Sequence, residues 1–423
     1  MIIDKFSEKL EQIKNRGKIM EGSYIKVASD IIEDVRNRGD EALFEYTRKF
    51  DNFDINEKNI RVSKEEIEAA YKDIDSSLVE AIKKAHNNIL NFHKLQMEKT
   101  WLFEDQYGSL LGQKITPLDS AGLYVPGGKA AYFSSVLMNA LPAVAAGVKE
   151  ISMVSPANGG KINSGVLVAA DICGIKNIYK VGGAQSIAAL AYGTNSIKKV
   201  DKITGPGNIY VAMAKKLVFG TVDIDMIAGP SEILIIAGSN AKAEYVAADM
   251  LAQCEHDELA SAITVVWNKE KALEIEKEVK KQLDVLPKKD IAIKSVENNS
   301  AIILVENIDE AIEIANNIAP EHLELYVDDA MSYLSKIRHA GAIFIGENSP
   351  EAAGDYYAGP NHVLPTGGSA RFFSPLGTYD FFKRSSIINY SKTAIQTEGN
   401  NIVKLAQGEN LVGHGRSIEV RLK

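Results

Sequence analysis

The stretch SAGLYVPGGKAAYFSSVLMNALPAVAAGV, Ser120–Val148, decides the predicted fold. A short run of β-forming residues ends in a proline and two glycines, and a longer run of small apolar residues follows. The first run has the length and composition of a strand, and the second those of a buried helix. A strand that leads directly into a helix is the repeating unit of parallel α/β sheets.

The same alternation continues along the chain after this stretch. Predicted strands precede small-residue helices at KEISMVSP, NIYKVGGAQ and KVDKITGPGN, and later strands are predicted at EILIIAG, SAITVVW, AIILVEN, HLELYV and GAIFIGE. These strands are numerous enough for two parallel sheets with helices on both faces. We therefore predict an α/β protein with two Rossmann-like, doubly wound domains.

The segments on either side of this alternation differ from it. The first hundred residues carry apolar residues at steps of three and four, which predicts helices, and Ser63 and Glu66 have the spacing of a capping box. The tail after about Tyr379 resembles an appendage. We predict a first α/β domain with the helical N-terminal part from residues 1–119 and 233–378, a second α/β domain from residues 120–232, and a C-terminal tail from residues 379–423.

The composition is typical of a globular protein and argues against several classes of function. The 423 residues are 45% hydrophobic and 25% charged, with a net charge of -8, so nothing favours binding to nucleic acid or to an anionic membrane. The N-terminus lacks the apolar core of a secretory signal, and no apolar run is long enough to cross a membrane. Two cysteines, Cys173 and Cys254, predict no disulfide framework. We expect a cytoplasmic protein.

Four glycine-rich turns follow predicted strands: VPGGKAAY, VGGAQSIA, TGPGNIYV and AGPSEIL. In doubly wound sheets, ligands bind at the carboxyl ends of strands. Glycine there lets the backbone approach a phosphate, and a helix N-terminus favours negative charge. No turn has the G-x-G-x-x-G spacing with an acidic residue about twenty positions later. Each turn alone is more simply a strand-to-helix connection, and only their number in one region favours nucleotide binding.

Histidines beside carboxylates or in glycine-rich loops form a second pattern. Four of the seven histidines lie in such segments, namely His256, His322, His362 and His414. Each segment alone has a simpler explanation, such as a cation at a helix C-terminus for His256. Together they predict a site that is assembled from distant segments, with imidazole and carboxylate groups as donors.

The motif QCEHD contains two common zinc ligands, Cys254 and His256. On a helix predicted from about Ala241 to His256, these two side chains point about 200° apart, whereas Gln253 and His256 share a face. Cys254 is therefore predicted to pack in the core and not to bind a metal.

The segment NNIAPEHLELYV, Asn316–Val327, places Glu321 beside His322 directly after Pro320. Proline suits the first turn of a helix, where acidic residues are also common. A solvated helix N-terminus is thus the simpler interpretation. The alternative is an acid/base pair that is directed into a pocket.

From about residue 20 to its end, the sequence closely resembles the histidinol dehydrogenase family. The motifs that carry the resemblance are YVPGGKAAYFSSVLMNALPA, GPGNIYVAMAK, DMIAGPSEILI, QCEHD, APEHLE and AGDYYAGPNHVLPT. Several of them are long and combine rare residue pairs, so they are too specific for a chance match. The resemblance implies an NAD-dependent alcohol and aldehyde dehydrogenase. Such an enzyme oxidises L-histidinol through L-histidinal to L-histidine with two NAD, as the final step of histidine biosynthesis.

The resemblance also implies roles for individual residues. One Zn²⁺ per subunit would be bound by four side chains, those of Gln253, His256, Asp355 and His414. Glu321 and His322 would be the acid/base pair. The second domain, residues 120–232, would bind NAD through Tyr124, Gln185 and Asn208. The substrate would contact Ser231, Gln253, His256, His322, Asp355, Glu409 and His414. The protein would be a homodimer in which the C-terminal tail, with Glu409 and His414, completes the neighbour's site.

These groups suggest a mechanism. We expect zinc to hold the imidazole and amine of histidinol. A neutral His322 would take the hydroxyl proton as hydride leaves for NAD, and if His322 lies at a helix N-terminus, the dipole would help to keep it neutral. Glu321 would activate the water that adds to the aldehyde. A rival mechanism uses the thiolate of Cys254 as the nucleophile.

Three other functions remain open from the residues alone. The first is a zinc dehydrogenase for another small polyol, such as a sulfonated diol. The second is a metal-dependent hydrolase in which Glu321 activates zinc-bound water. The third is a nucleotide-binding module without catalysis, which leaves the acid/base pair without a role.

Overall fold

The computed structural model describes residues 1–14, 22–127 and 132–423. Part of the predicted turn VPGGKAAY, residues 128–131, lies outside the described residues. The strands are β1 (Ile2–Asp4), β2 (Trp101–Glu104), β3 (Leu110–Pro117), β4 (Ser120–Tyr124), β5 (Glu150–Val154), β6 (Asn177–Tyr179), β7 (Lys202–Thr204), β8 (Asp223–Ile224), β9 (Glu232–Ala237), β10 (Ser261–Val266), β11 (Ala301–Leu304), β12 (His322–Tyr326), β13 (Ala342–Ile345) and β14 (Phe382–Asn389).

The helices alternate with these strands through most of the chain. They are α1 (Glu8–Lys14), α2 (Gly22–Arg38), α3 (Asp40–Asp51), α4 (Lys64–Asp73), α5 (Ser76–Lys94), α6 (Phe133–Ala146), α7 (Ser164–Ile172), α8 (Gly183–Tyr192), α9 (Ile209–Val218), α10 (Ala243–Cys254), α11 (Lys269–Leu283), α12 (Lys289–Asn298), α13 (Ile308–Ile318), α14 (Glu351–Tyr356), α15 (Lys392–Gly408) and α16 (Val412–Glu419). Within the described ranges, no helix is long and apolar enough to cross a membrane. The cytoplasmic location stays a prediction.

A six-stranded parallel sheet forms one half of the molecule, in the order β1-β11-β10-β9-β12-β13. Strands β9, β10 and β12 are buried along their whole length. The largely apolar sequences of β9 and β10 predict this burial, whereas β12 also buries His322 and Glu324. Helices α10, α11 and α12 pack on one face, and α1 and α13 on the other. From β9 the chain first builds the sheet outward through β10 and β11 and later returns to add β12 on the opposite side.

A five-stranded parallel sheet, in the order β6-β5-β4-β7-β8, forms the other half. Helices α6 and α7 pack on one face, and α8 and α9 on the other. The predicted fold class is thereby confirmed: two parallel sheets, each covered by helices on both faces.

The N-terminal helices pack on the five-stranded sheet, which differs from the grouping expected from the sequence. Ala28, Ile31 and Val35 of α2 pack into the core that α8 and α9 form, and Ile82 and Ile89 of α5 pack against α6 and α7. Only β1 and α1 join the six-stranded sheet. The apolar residues of these helices are thereby buried against α6 to α9. The division of the chain into domains stays a prediction.

A third, antiparallel sheet of three strands, β14-β3-β2, was not predicted. Residues Phe382–Asn389 of the tail pair along their whole length with Leu110–Pro117. Because this pairing joins segments almost 270 residues apart, no local pattern signals it. Beyond β14, helices α15 and α16 pack on each other. The tail is therefore anchored by a strand and ends in a helical pair.

Candidate active site

Glu321 and His322 lie at the amino end of β12, beside the amino end of β9. His322 is the first residue of β12 and pairs with Ile233. The predicted helix N-terminus at Pro320 is wrong: helix α13 ends at Ile318, and Ala319 terminates it in the left-handed conformation with φ 51°. Proline is also common just after a helix C-terminus, because it cannot continue the helix. No helix dipole therefore acts on His322 in the way that the sequence suggested.

The side chain of Glu321 is buried and bonded to the neighbouring strand. Its carboxylate accepts a hydrogen bond of 2.9 Å from the backbone nitrogen of Glu232. In return, the carboxylate of Glu232 accepts a bond of 3.2 Å from the nitrogen of Glu321. Burial raises the pKa of Glu321 to about 8. The carboxyl group is thus poised to exchange a proton slightly above neutral pH.

The imidazole of His322 has one nitrogen in a hydrogen bond and one directed into the site. Nδ1 lies 3.0 Å from the carbonyl oxygen of Glu232, so it must donate to that acceptor. Nε2 lies 3.6 Å from Asp355 Oδ1 and has no closer polar partner among the residues that the structure describes. This arrangement selects the tautomer that leaves Nε2 free to take a proton.

Three carboxylates surround this imidazole. Burial alone would lower the pKa of His322, but the charges of Glu351, Glu321 and Asp355 outweigh burial and raise it well above the usual value. His322 Nδ1 lies 3.7 Å from Glu351 Oε1 and 3.8 Å from Glu321 Oε2. The charged carboxylates therefore favour the protonated imidazole, and a divalent cation bound beside them would lower the pKa of His322 and favour the neutral form that can accept a proton.

His256, Glu351 and Asp355 each bring one ligand atom within 4.8 Å of the others. His256 lies two residues past the end of α10, and the two carboxylates lie four apart, on one face of α14. Imidazole and carboxylate atoms at this separation can share one divalent ion. We call these three residues together with His322 the amino-end cluster.

Gln253 is held beside this cluster by Glu351. With its amide nitrogen assigned toward Glu351, the nitrogen lies 2.9 and 3.1 Å from the two carboxylate oxygens. The carbonyl oxygen, which is the ligating atom of an amide, is then free to bind a metal. Glu351 was missed by the sequence analysis. Its spacing of four residues from Asp355 could have revealed it, had the segment been recognised as a helix.

The structure confirms that Cys254 packs in the core. It is fully buried among the apolar side chains between α10 and the six-stranded sheet, with its sulfur 3.5 Å from Ser300 Oγ. Burial raises the pKa of its thiol, which opposes formation of a nucleophilic thiolate. Helix α10, at Ala243–Cys254, is two residues shorter at each end than predicted.

His362 connects the amino-end cluster to the five-stranded sheet. Its Nδ1 lies 2.9 Å from the carbonyl oxygen of Asp355, and its Nε2 lies 3.5 Å from Ser135 Oγ in the first turn of α6. Burial lowers the pKa of His362, so the neutral form bridges these groups. Helix α6 follows β4, and the cluster therefore lies next to the carboxyl end of the five-stranded sheet.

The three predicted NAD contacts lie where strands of this second sheet end. Tyr124 ends β4, and its hydroxyl accepts a bond of 3.3 Å from Gly183 N. Asn208 caps α9 through bonds from Tyr210 N and Val211 N. Both amide atoms of Gln185 are buried, and no hydrogen-bond partner for them exists within the described ranges. Buried amide atoms without partners are rare and suggest that a ligand completes them.

The same turns need glycine for close backbone approach. Gly205 has φ +115°, and a Cβ atom there would lie 2.1 Å from the carbonyl oxygen of Tyr124. The backbone nitrogen of Gly205 donates to Asp225, which also pairs with the buried Lys215. The turns at VGGAQSIA and TGPGNIYV are thus tightly packed, and a side chain at Gly182 or Gly205 would collide with a neighbouring loop.

The remaining predicted site residues lie apart from the cluster or at its edge. Glu409 and His414 are exposed on the helical pair of the tail, and no described side chain of the same chain pairs with them. Ser231 immediately precedes β9, and its carbonyl oxygen accepts a bond from Ser261 N. Within one chain, the structure does not bring His414 to the other predicted ligands.

Comparison with known proteins assigns the family. A model of the family described as histidinol dehydrogenase matches residues 14–422. The chain belongs to the histidinol dehydrogenase family. A histidinol dehydrogenase from Halalkalibacterium halodurans is 55% identical over 93% of this chain and 92% of its own. One from Carboxydothermus hydrogenoformans is 49% identical over 100% of this chain and 97% of its own.

A solved structure supports the same assignment. The crystal structure of histidinol dehydrogenase from Elizabethkingia anophelis has a TM-score of 0.94 and 39% identity, and the match covers 99% of this chain and 96% of that one. The predicted family is confirmed, and with it an NAD-dependent oxidoreductase of the final step of histidine biosynthesis. The roles of individual residues stay predictions.

Proposed function

We propose that the chain oxidises L-histidinol through L-histidinal to L-histidine in two successive steps, each with one NAD. The observation that carries this proposal is the free Nε2 of His322, buried 3.6 Å from Asp355 beside a cluster that suits a divalent ion. Alcohol oxidation by hydride transfer needs a base for the hydroxyl proton. A mechanism with a covalent thioester intermediate would need a reactive thiolate, and the nearby thiol of Cys254 is buried in the core.

The proposed metal is one Zn²⁺ per subunit. Gln253, His256 and Asp355 offer an amide oxygen, an imidazole and a carboxylate, which form a donor set that fits zinc. The fourth ligand would be His414 from the neighbouring subunit. When bound, zinc would supply a positive charge that holds the imidazole and amine nitrogens of the substrate. Glu351 accepts hydrogen bonds from the amide nitrogen of Gln253 and would thereby hold the amide oxygen of Gln253 in position for the metal.

His322 is proposed as the base in the first step. Its Nδ1 is engaged with the carbonyl oxygen of Glu232, so Nε2 would take the proton from the hydroxyl group as hydride leaves for the nicotinamide. In the second step, the buried carboxyl group of Glu321 would accept a proton from the water that adds to the aldehyde. Its raised pKa of about 8 places this proton exchange near neutral pH.

The cofactor is proposed to bind at the carboxyl end of the five-stranded sheet. Tyr124, Gln185 and Asn208 lie there, and the unpartnered amide of Gln185 supports this placement. Ser135 and His362 join this region to the amino-end cluster. NAD in this position would reach the substrate near the contact between Ser135 and His362.

The tail is proposed to complete the site of a second subunit in a homodimer. Glu409 and His414 are exposed on helices that pack on each other, together with exposed apolar residues such as Leu405 and Val412. An apolar helical pair of this kind needs a partner surface. Glu409 would bind the cationic amine of histidinol, and Ser231 would line the pocket.

Product analysis tests the proposed reaction. Purified protein with histidinol and NAD is expected to form two NADH for each histidine released. A sulfonated diol serves as the matched alternative substrate, and it is expected to give no NADH because Glu409 repels its sulfonate. Turnover of the diol without turnover of histidinol would contradict the proposal.

Subunit complementation tests the shared site. The variants His322→Asn and His414→Ala should each be inactive alone, since each lacks an essential group. After mixing, unfolding and refolding, hybrid dimers should regain one intact site and measurable NADH formation. Lack of any recovered activity, in a mixture shown by mass to contain hybrids, would contradict the exchange of the tail.

A further inference from the structure

A buried ion pair on the five-stranded sheet has no part in the proposed reaction. Lys215 on helix α9 pairs with Asp225, which directly follows β8, and both side chains are almost fully buried. Charges that leave water lose their hydration, so a buried pair needs good geometry and further hydrogen bonds to offset that loss. The groups to which Lys215 and Asp225 are bonded therefore indicate what the pair does.

The pair binds both backbone polar groups of Gly205, in the turn between β7 and α9. The nitrogen of Gly205 donates to Asp225 Oδ2 at 2.8 Å, and Lys215 Nζ donates to the carbonyl oxygen of Gly205 at 2.9 Å. Asp225 is itself fixed, because its nitrogen donates to the carbonyl oxygen of Ile203 at 3.2 Å and its Oδ1 accepts a bond of 2.6 Å from Met226 N. We call Lys215 and Asp225 the Gly205 pair.

The turn that this pair holds lies directly against Tyr124. A Cβ atom at Gly205 would lie 2.1 Å from the carbonyl oxygen of Tyr124, and one at Gly207 would lie 3.1 Å from Cε1 of its ring. The same turn ends at Asn208, whose side chain caps α9. Tyr124 and Asn208 are two of the three predicted NAD contacts, so the placement of both depends on the backbone of residues 205–208.

This turn needs support from outside, because two of its four residues are glycines. Glycine has more backbone freedom than any other residue and loses more entropy when it is ordered. Hydrogen bonds from an ammonium group and to a carboxylate are stronger than those between neutral groups. A turn without such bonds would spend part of its time in conformations that do not fit a ligand, and its apparent affinity would fall in proportion.

We propose that Lys215 and Asp225 are positioning residues for the cofactor, which hold residues 205–208 in the conformation in which Tyr124 and Asn208 contact NAD. This inference rests on the proposed placement of NAD at the carboxyl end of the five-stranded sheet. Because the pair acts through the turn, its loss should raise the KM for NAD more than it lowers kcat. Zn²⁺ affinity should stay unchanged, since the proposed metal ligands lie on the other sheet and the tail.

The double variant Lys215→Met/Asp225→Leu removes the charges and hydrogen bonds of the Gly205 pair and keeps side chains of similar volume. Apolar residues that replace a buried ion pair in this way often preserve stability, so the variant is expected to fold. NAD affinity of the full-length protein is measured by calorimetric titration without histidinol. The dissociation constant should rise by about tenfold, as expected if the freed turn adopts the binding conformation for about a tenth of the time.

Lys202 and Asp223 provide a matched control on the same two strands. They are the first residues of β7 and β8, and the buried Lys202 donates to Asp223 Oδ2 at 2.8 Å. The variant Lys202→Met/Asp223→Leu therefore makes the same substitutions at the opposite ends of these strands and should leave NAD affinity unchanged. A purely structural role of the Gly205 pair would lower stability without a specific loss of NAD affinity. Equal NAD affinities of the two double variants would thus overturn the inference.

A single variant, Asp225→Asn, repeats the test in case the double variant does not fold. Asparagine keeps the size of aspartate, but its amide nitrogen replaces one of the two acceptor oxygens that bind Gly205 N and Met226 N. NAD affinity should fall by a smaller factor than in the double variant. Hydrogen exchange of the Gly205 amide, measured without NAD, should accelerate in both variants. Exchange as slow as in the wild type would show that the pair does not hold the turn and would overturn the inference.

The wild-type protein tests the proposed function separately. If the wild type binds no NAD or forms no NADH from histidinol, the proposed function fails. If the wild type binds NAD and the folded variants of the Gly205 pair bind it equally well, the positioning role alone fails.

Discussion

The two parallel sheets contribute opposite strand ends to the site: the six-stranded sheet its amino ends, and the five-stranded sheet its carboxyl ends. The residues at these two ends also differ in chemical character. In the six-stranded sheet, titratable side chains at the amino ends of β9 and β12 are buried and linked by hydrogen bonds. In the five-stranded sheet, glycine after a carboxyl end lets two backbone segments approach closely, as at Gly205 and Tyr124. The first region can hold a cation and exchange protons, and the second is suited to a large polar cofactor. We therefore expect proton transfer to take place on the six-stranded sheet and cofactor binding on the five-stranded sheet.

The largest expected effect comes from His322→Asn. Asparagine can still donate to the carbonyl oxygen of Glu232, but it lacks the free Nε2. The rate of alcohol oxidation should fall by about 10²- to 10⁴-fold, the usual contribution of a general base. Steady-state kinetics and NAD titration are the measurements, and NAD affinity should stay unchanged. Equal losses of rate and NAD affinity would contradict the assignment of proton transfer and NAD binding to different sheets.

Asp355→Asn should weaken Zn²⁺ binding by at least about tenfold, since it replaces a charged ligand by a neutral one. Asp355 Oδ1 also lies 3.6 Å from His322 Nε2, where its charge would stabilise the imidazole once it has taken the proton, so the rate should fall as well. Chelator competition gives the affinity. As a matched control, Asp171→Asn lies on the five-stranded side and should leave Zn²⁺ affinity unchanged. Full affinity in the Asp355 variant would exclude this carboxylate as a ligand.

Gly205→Ala tests the cofactor side. The new Cβ would lie 2.1 Å from the carbonyl oxygen of Tyr124, at φ +115°. We expect a cost of roughly 1–3 kcal/mol in stability and a higher KM for NAD, with Zn²⁺ affinity unchanged. Thermal unfolding and NAD kinetics measure these effects. A variant with normal KM and melting temperature would show that the turn does not depend on this close approach.

The pH dependence of aldehyde oxidation sharpens the assignment of Glu321. Its pKa is raised to about 8 by burial, and the ionised form is the one that can accept a proton from water. The rate should therefore rise with pH, by about fivefold between pH 7 and pH 8, and then level off. Glu321→Gln should abolish this rise. A wild-type rate that falls over the same interval would contradict the role of Glu321 as the base.

Cys254→Ser should have the smallest effect. The thiol is buried in the core and lies 3.5 Å from Ser300 Oγ, so serine fits with a modest loss of stability, on the order of 1 kcal/mol. Both oxidation steps should stay within about twofold of the wild type. A selective loss of aldehyde oxidation would support the thiolate mechanism instead.

The fold could be predicted where local pattern and tertiary structure agree. The strands β4, β9 and β10 are continuous apolar runs, and the capping box of Ser63 and Glu66 forms as its spacing predicts. The pairing of β14 with β3 could not be predicted, because strand register depends on distant partners. The sheet on which helices α2 and α5 pack could not be predicted for the same reason, since an apolar helix face does not identify the surface it packs against.

The candidate site could be predicted in part. The structure brings ligand atoms of His256 and Asp355 within 4.8 Å of each other, and family motifs in the sequence had indicated both residues. Whether His322 follows the end of a helix or lies at the start of one could not be inferred, because proline is common at both positions. Glu351 was missed, since its role appears only when α14 places it one turn from Asp355.

The most direct test of the central claim is a Zn²⁺ titration of the metal-stripped protein with simultaneous measurement of NADH formation from histidinol. The account predicts that activity is absent without metal, rises in proportion to added Zn²⁺ and reaches its maximum at one ion per chain. Full activity in the metal-free protein, or Zn²⁺ binding at one ion per chain without any turnover of histidinol, would contradict it.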